Sequence, residues 1–301
     1  RYKGEQQVIY GVAEADVGKN TILNMSIEHN RQESNAADTG RGYQVLYTDL
    51  TPTPFSRHDS SIPEWGLYDN KRTSLSFGLE HKINQDWDAK LSYTRTAREL
   101  FFRRGMGVNN VNTDNTIERD HRLQNSADYS VHAFDSRVNG SFNLLGRKHD
   151  LIAGFNYSST EELIKDDFVY QEFYDQTPII DGYLQAPPLD WDSGKALWSQ
   201  ETTKQYGLYL ATRIRPSENI SLIMGSRWSD WRIKAERKIT GEITDKREYS
   251  TVFTPYAGIV FDVNNNLSIY GSYTEIFKPQ SAEDISGALL DPEEGKNYEV
   301  G

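Results

Sequence analysis

The chain has 301 residues, 33 Lys+Arg against 44 Asp+Glu, a formal net charge of −11 and no cysteine. Lack of cysteine excludes a disulfide framework, a thiolate zinc site and a cysteine nucleophile, and the acidic balance argues against a nucleic-acid partner, which needs a basic face. A mean hydropathy of −0.71 and the lack of any apolar run near about 18 residues exclude a transmembrane helix, although membrane β-strands, which alternate lipid-facing with lumen-facing residues, escape that test.

Period-two alternation runs along the chain and predicts ten strands, near residues 5–16, 20–32, 70–83, 86–98, 128–145, 148–163, 199–215, 219–236, 248–263 and 267–277. In the second strand Leu23, Met25 and Ile27 alternate with Asn24, Ser26 and Glu28. In the third and fourth, Leu75, Phe77 and Leu79 and then Leu91 and Tyr93 alternate with small or charged residues. The fifth sets Phe134, Val138 and Phe142 against Asp135, Arg137 and Asn139, and the sixth carries Leu151, Ala153, Phe155 and Tyr157. Tyr206, Leu208 and Leu210 mark the seventh, and Leu267, Ile269 and Tyr273 the tenth. An eleventh begins near Asn297 and runs to Gly301. No segment holds a 3.6-residue apolar stripe for three turns, so the fold is all-β.

The connections alternate in length. Tight turns rich in Gly, Asn and Pro fall at Val17–Asn20, Asn84–Asp86, Gly146–Lys148, Pro216–Asn219 and Asn264–Asn266, with residues suited to the backbone angles that turns need. Between these hairpins lie long polar stretches at 33–68, 99–127, 166–198, 237–248 and 278–296. A soluble sandwich has no reason to gather every long loop at one end. An outer-membrane barrel does, with short periplasmic turns and long extracellular loops. The expected architecture is an antiparallel up-and-down transmembrane β-barrel segment. A dangling strand edge in lipid is not tolerated, so the segment is expected to be an internal piece of a larger barrel.

Residues 267–301 read LSIYGSYTEIFKPQSAEDISGALLDPEEGKNYEVG. This resembles the TonB-dependent ferric-siderophore receptors of the Gram-negative outer membrane. The matching stretches are Tyr273 to Gln280 at a strand exit and Leu290 to Gly301 where the chain resumes. The hairpins at 10–29 and 202–228 are similar to an early and a middle hairpin of that family. Read from the residues alone, the motif is structural: Pro279 ends ladder pairing, and Pro292 and Gly295 shape the entry to the next strand. The resemblance implies a barrel of about 22 strands around a plug, with the plug domain, the TonB box and the remaining strands outside this chain. It also implies uptake of ferric siderophore energised through TonB, with a lean toward hydroxamate- or pyoverdine-type receptors.

Such a ligand arrives with its iron saturated by its own oxygens. The expectation is therefore no cofactor or metal held by protein side chains, but a concave site of aromatic surface with a few polar or cationic groups. Loop 166–198 has seven aromatic residues in 33 positions against 12% overall, including Tyr174, Trp191 and Trp198. Trp65 and Tyr68 stand at another extracellular mouth, and Phe277 ends the tenth strand. Trp228 and Trp231 have an odd offset and point to opposite sides, so at most one faces the lumen. For each aromatic the alternative is girdle or loop packing, and Trp87, beside a short turn, reads as periplasmic girdle. Arg103 and Arg104 suit an anionic siderophore or the phosphates of lipopolysaccharide, which with outer-membrane lipid is the expected surrounding; solvated loop charge is the alternative.

Enzyme motifs are lacking. The six histidines make no HExxH or paired-ligand spacing. The rival readings are a closed ten-stranded outer-membrane protease barrel, which would end on a short aromatic-terminated strand, and a passive porin with an open lumen.

Overall fold

The computed structural model describes residues 3–34, 46–55, 63, 65–107, 111–117, 120–165, 171–173, 177–180, 183–185, 198–280, 282, 284–285 and 290–301. In chain order the strands are β1 (Gly4–Val17), β2 (Thr21–Ser34), β3 (Leu67–Lys82), β4 (Trp87–Gly107), β5 (Thr116–Ile117), β6 (Asp120–Leu144), β7 (Arg147–Lys165) and β8 (Gln171–Phe173). There follow β9 (Thr177–Ile180), β10 (Tyr183–Leu184), β11 (Trp198–Ile214), β12 (Ile220–Arg237), β13 (Glu242–Asn264), β14 (Leu267–Lys278) and β15 (Glu293–Val300). Among the described residues one antiparallel meander joins β1-β2-β3-β4-β6-β7-β11-β12-β13-β14-β15, with β8 added on β6, and β10-β9-β5 form a small second sheet. No helix among the described residues is long and apolar enough to cross a membrane.

The period-two pattern gives the meander two unlike faces. Leu23, Met25 and Ile27 pair with Leu79, Phe77 and Leu75, and these with Leu91, Tyr93 and Arg95. The same face continues through Phe134 and Tyr157 to Tyr206, and through Phe155 and Leu208 to Trp228 and Phe253. Ring pairs cross it at 4.9 Å (Tyr157–Tyr206) and at 5.1 Å for both Trp228–Phe253 and Tyr273–Tyr298. They make an aromatic belt near the upper edge of the apolar band. On the opposite face the paired residues are small or polar, as in the row Ser26–Ser76–Thr94–Ala133–Ser158.

A single layer leaves its apolar face uncovered, and Ile9 is 68% exposed and Leu208 55%. An exposed apolar band bordered by aromatics suits a lipid surround. The buried apolar core lies instead among the long connections. There Val111, Ile117 and Ile179 pack with Tyr47, Phe55 and Trp65, and the Tyr47 hydroxyl donates to Asn115 Oδ1 at 2.6 Å.

At the opposite end the turns are tight. Leu145 and Gly146 both take positive φ, 53° and 73°, as a two-residue hairpin turn matched to strand twist requires. His149 pins two of these turns together: its Nε2 donates to the Leu144 carbonyl at 3.0 Å, and its Nδ1 accepts from the Arg215 N–H at 2.9 Å.

The structure corrects some boundaries. The long loop expected at 237–248 is a four-residue turn, residues 238–241 with Gly241 at φ 70°, because β12 and β13 stay paired as far as Arg237 and Glu242. Likewise β4 runs to Gly107 and β6 starts at Asp120, and the two remain paired between those ends. The eleventh strand of the meander, β15, starts at Glu293, where Lys278 pairs with it, four residues ahead of the expected start. Beyond the apolar band both faces are polar, so alternation gives no signal while the ladder continues.

Candidate functional site

The polar face at the long-connection end carries a compact group on β12, β13 and β14. A register shift between Ser229 and Trp231 coincides with Thr251 at φ 58°, whose N–H is held by Asp230 Oδ1 at 2.7 Å. This bulge reverses the alternation of β13. Tyr249 and Arg247, which parity with Phe253 would put on the apolar face, thus join Trp231 on the polar one. The Trp231 and Tyr249 ring centroids lie 5.6 Å apart, and Phe277 meets Tyr249 edge-on at 5.8 Å.

Arg247 is the polar centre of this group. Its guanidinium lies over the Trp231 ring at 5.8 Å, its Nε donates to Asp245 Oδ1 at 3.0 Å, and another nitrogen donates to the Gln280 carbonyl at 2.9 Å. Its side chain is only 8% exposed. The aromatic ledge is therefore backed by a fixed cation and is joined to the connection after β14. That connection is drawn together by the Gln280 side-chain amide, which donates to the Asp291 carbonyl.

A charged row borders the ledge. Direct pairing sets Arg98, Tyr129, Glu162, Glu201, Ala235 and Asp245 side by side across six strands. Arg98 lies over the Tyr129 ring at 5.2 Å and donates to Asn70 Oδ1 at 2.7 Å. Burial, then the nearby Glu162 carboxylate, pushes the Glu201 carboxyl above its ordinary value, against the pull of Arg247. Glu201 stands beyond Lys204 and Tyr206, outside the apolar band.

The residues singled out by sequence fall in several places. Trp231 and Phe277 each lie against Tyr249, whereas Trp228 is on the apolar face beside Phe253. Tyr68 is half-buried on the polar face, paired with Ser34 and Phe102. Trp65 packs on the buried core of the connections. Arg103 and Arg104 point to opposite faces, each over the ring two residues before it, Phe101 at 5.4 Å and Phe102 at 5.3 Å. Trp87 covers Gly140 on the apolar face at the short-turn end. Tyr174 and Trp191 lie outside the described residues, as does the side chain of Trp198. Tyr249 and Arg247 escape sequence reasoning, because the bulge that turns them to the polar face leaves no signal in the hydrophobic pattern.

Comparison with known proteins gives these surfaces a context. Residues 14–301 match the family model for the TonB dependent receptor-like β-barrel. A ferric-pyoverdine 358 receptor of Pseudomonas putida is 36% identical over all of this chain, which spans 37% of that relative's length. The ferripyoverdine receptor of Pseudomonas aeruginosa is 26% identical, again over all of the chain and 36% of the relative. The solved outer-membrane structure of the P. aeruginosa receptor bound to ferripyoverdine superposes with a TM-score of 0.79 at 23% identity, over the whole chain and 39% of that structure. At that identity the likeness speaks for the fold.

Proposed function

The chain belongs to the TonB-dependent receptor β-barrel family, and on that premise we propose that the protein it forms part of imports a ferric siderophore across the outer membrane. The apolar face is then the lipid face and the polar face lines the lumen. The end with long connections is extracellular. The aromatic ledge of Trp231, Tyr249 and Phe277, with Arg247 behind it, carries the reading: it sits on the lumenal wall at the mouth, where an arriving ligand is first held. Ring faces give a bulky chelate contact area at little entropic cost, and a few charged groups orient it. The iron travels as cargo on the ligand's own oxygens.

The remaining strands, a plug and the segment that engages TonB belong to the rest of the receptor. TonB, driven from the inner membrane, rearranges the plug and releases the ligand inward. The ligand class we favour is the pyoverdine type, which the names of the relatives support. A closed ten-stranded protease barrel fits poorly with an eleven-stranded meander among the described residues. A passive porin would show a steady open conductance.

The test is intrinsic-fluorescence quenching of the whole receptor by a panel of ferric siderophores. Saturable quenching by a ferric pyoverdine, lost in Trp231→Ala, is expected. Quenching by no member of the panel would overturn the reading.

A further inference from the structure

The charged row beside the aromatic ledge is sorted by sign, and its bearing on the ligand rests on the import reading above. Most of the lumenal charges around it are matched in pairs. Arg72 is bound to Glu28, Arg237 to Glu242 at 2.9 Å, and Arg247 to Asp245. With those pairs set aside, Arg98 on β4 is left at one side of the row, and Glu162 on β7 and Glu201 on β11 at the other. None of these three has an ion pair among the described residues. The next cation on the face of Arg98 is Arg104, six residues farther out along β4 and about 20 Å away at the usual rise.

Arg98 is held as a fixed fork. Its Nε donates to Asn70 Oδ1 at 2.7 Å, and its guanidinium lies over the Tyr129 ring at 5.2 Å. Its two terminal nitrogens are left to donate elsewhere, in the planar arrangement that matches a carboxylate. The Tyr129 hydroxyl hydrogen-bonds Glu162, and Glu162 faces Glu201 directly across β7 and β11. Burial, then Glu162, raises the Glu201 carboxyl above its ordinary value, and a cation seated between the two carboxylates relieves their repulsion. Two carboxylates are too few ligands for a divalent metal ion, and no third metal-ligating side chain joins them among the described residues. An organic ammonium or guanidinium needs only acceptors and fits the pair.

We propose that Arg98 and the Glu162–Glu201 pair orient a zwitterionic ferric chelate, with its carboxylate arm on Arg98 and its ammonium or guanidinium arm between the two glutamates. At the usual strand spacing Glu162 and Glu201 stand roughly 10 and 14 Å from Arg98, a span that two arms of one bulky chelate can cover. The aromatic ledge begins four residues farther in, at Trp231 on β12 and Tyr249 on β13, and takes the apolar body of the same ligand. Sorting by sign selects as well as binds. A chelate with like charges on both arms meets repulsion at one end of the row.

The test is a quenching titration of the whole receptor with one ferric pyoverdine that bears a free carboxylate and a free side-chain amine. Its amidated, N-acetylated and doubly blocked forms are titrated beside it. On wild type each single block should raise the dissociation constant by about tenfold, as loss of a charge-assisted contact predicts. In Arg98→Gln the penalty for amidation should vanish while that for acetylation persists, and in E162Q/E201Q the reverse should hold. Heat-modifiable migration checks that each variant is folded, and a merely structural role would shift all four chelates together. Equal dissociation constants for the four chelates on wild type, or loss of both penalties in either variant, would overturn the proposal and leave the import reading standing. Quenching by none of the four would overturn both.

Discussion

Arg247 on β13 holds the main-chain carbonyl of Gln280, beyond the end of β14, at 2.9 Å. One side chain thereby connects the lumenal wall, the Trp231 ring and the connection running from Pro279 to Pro292. With only 8% of that side chain exposed, its bonds are shielded from water, and hydrogen bonds to a charged donor contribute about 1.5–3 kcal/mol. Arg247→Ala should loosen the connection, leave Asp245 without its cation, and weaken ferric-siderophore binding by roughly tenfold or more. Limited proteolysis of the whole receptor should show a new cut between 279 and 292. An unchanged cleavage pattern would mean that Arg247 does not anchor this segment.

The two tryptophans of β12 should separate cleanly by solvent. Trp228 packs against Phe253, the two rings tilted at 45°, in the lipid-facing belt, and Trp231 lies under Arg247 on the lumenal face. Brominated lipid should quench Trp228 and spare Trp231, while ferric siderophore should do the reverse, since quenching decays steeply with distance. Measuring W228F and W231F one at a time assigns each signal. Ligand quenching that survives W231F and disappears in W228F would reverse the assigned faces.

How much of this was legible without coordinates depends on lipid. Where one face meets the bilayer, alternation is enforced, and residues such as Leu23, Met25, Leu208 and Leu210 declare the strands and their faces. Beyond the belt that pressure stops, so the ends of β4, β6 and β13 vanish into apparently polar loops. The opposed directions of Trp228 and Trp231 follow from parity alone. Tyr249 and Arg247 do not, because the bulge at Thr251 shifts the parity, and a strand with polar residues on both faces carries no trace of it. Pro279 and Gln280 were readable as a strand exit. The cross-loop bond from Gln280 to Asp291 shows why a Gln follows the Pro, which composition alone could not.

Glu201 should make the receptor's stability depend on pH. Burial and Glu162 raise its folded-state value, so the folded receptor binds more protons than the unfolded chain just above the ordinary glutamate range. Stability is then fully present below the unfolded value and falls as pH rises through the raised folded value. Glu201→Gln removes this dependence, and its thermal midpoint should vary less than that of wild type from mildly acid to neutral pH. Glu99→Gln, on an exposed carboxylate, should keep the wild-type profile. Parallel profiles for E201Q and wild type would show that the carboxyl is not coupled to folding.

The periplasmic end is closely packed at Gly140. A Cβ added at Gly140 would come within 2.4 Å of the Trp87 ring and 2.6 Å of the Asp86 carbonyl. The indole can swing away, but the carbonyl belongs to the turn before β4, where the Ser141 N–H donates to it at 3.0 Å. Gly140→Val must therefore break that bond or displace the turn, and overpacking of this kind costs about 1–3 kcal/mol. Gly258, by contrast, has its nearest neighbour at 3.5 Å, and Gly258→Ala should leave stability within about 0.5 kcal/mol of wild type. Urea unfolding of the whole receptor in detergent, followed by loss of heat-modifiable migration, compares the two. If Gly140→Val unfolds at the wild-type midpoint, the close packing of Trp87 on Gly140 does not constrain this end of the barrel.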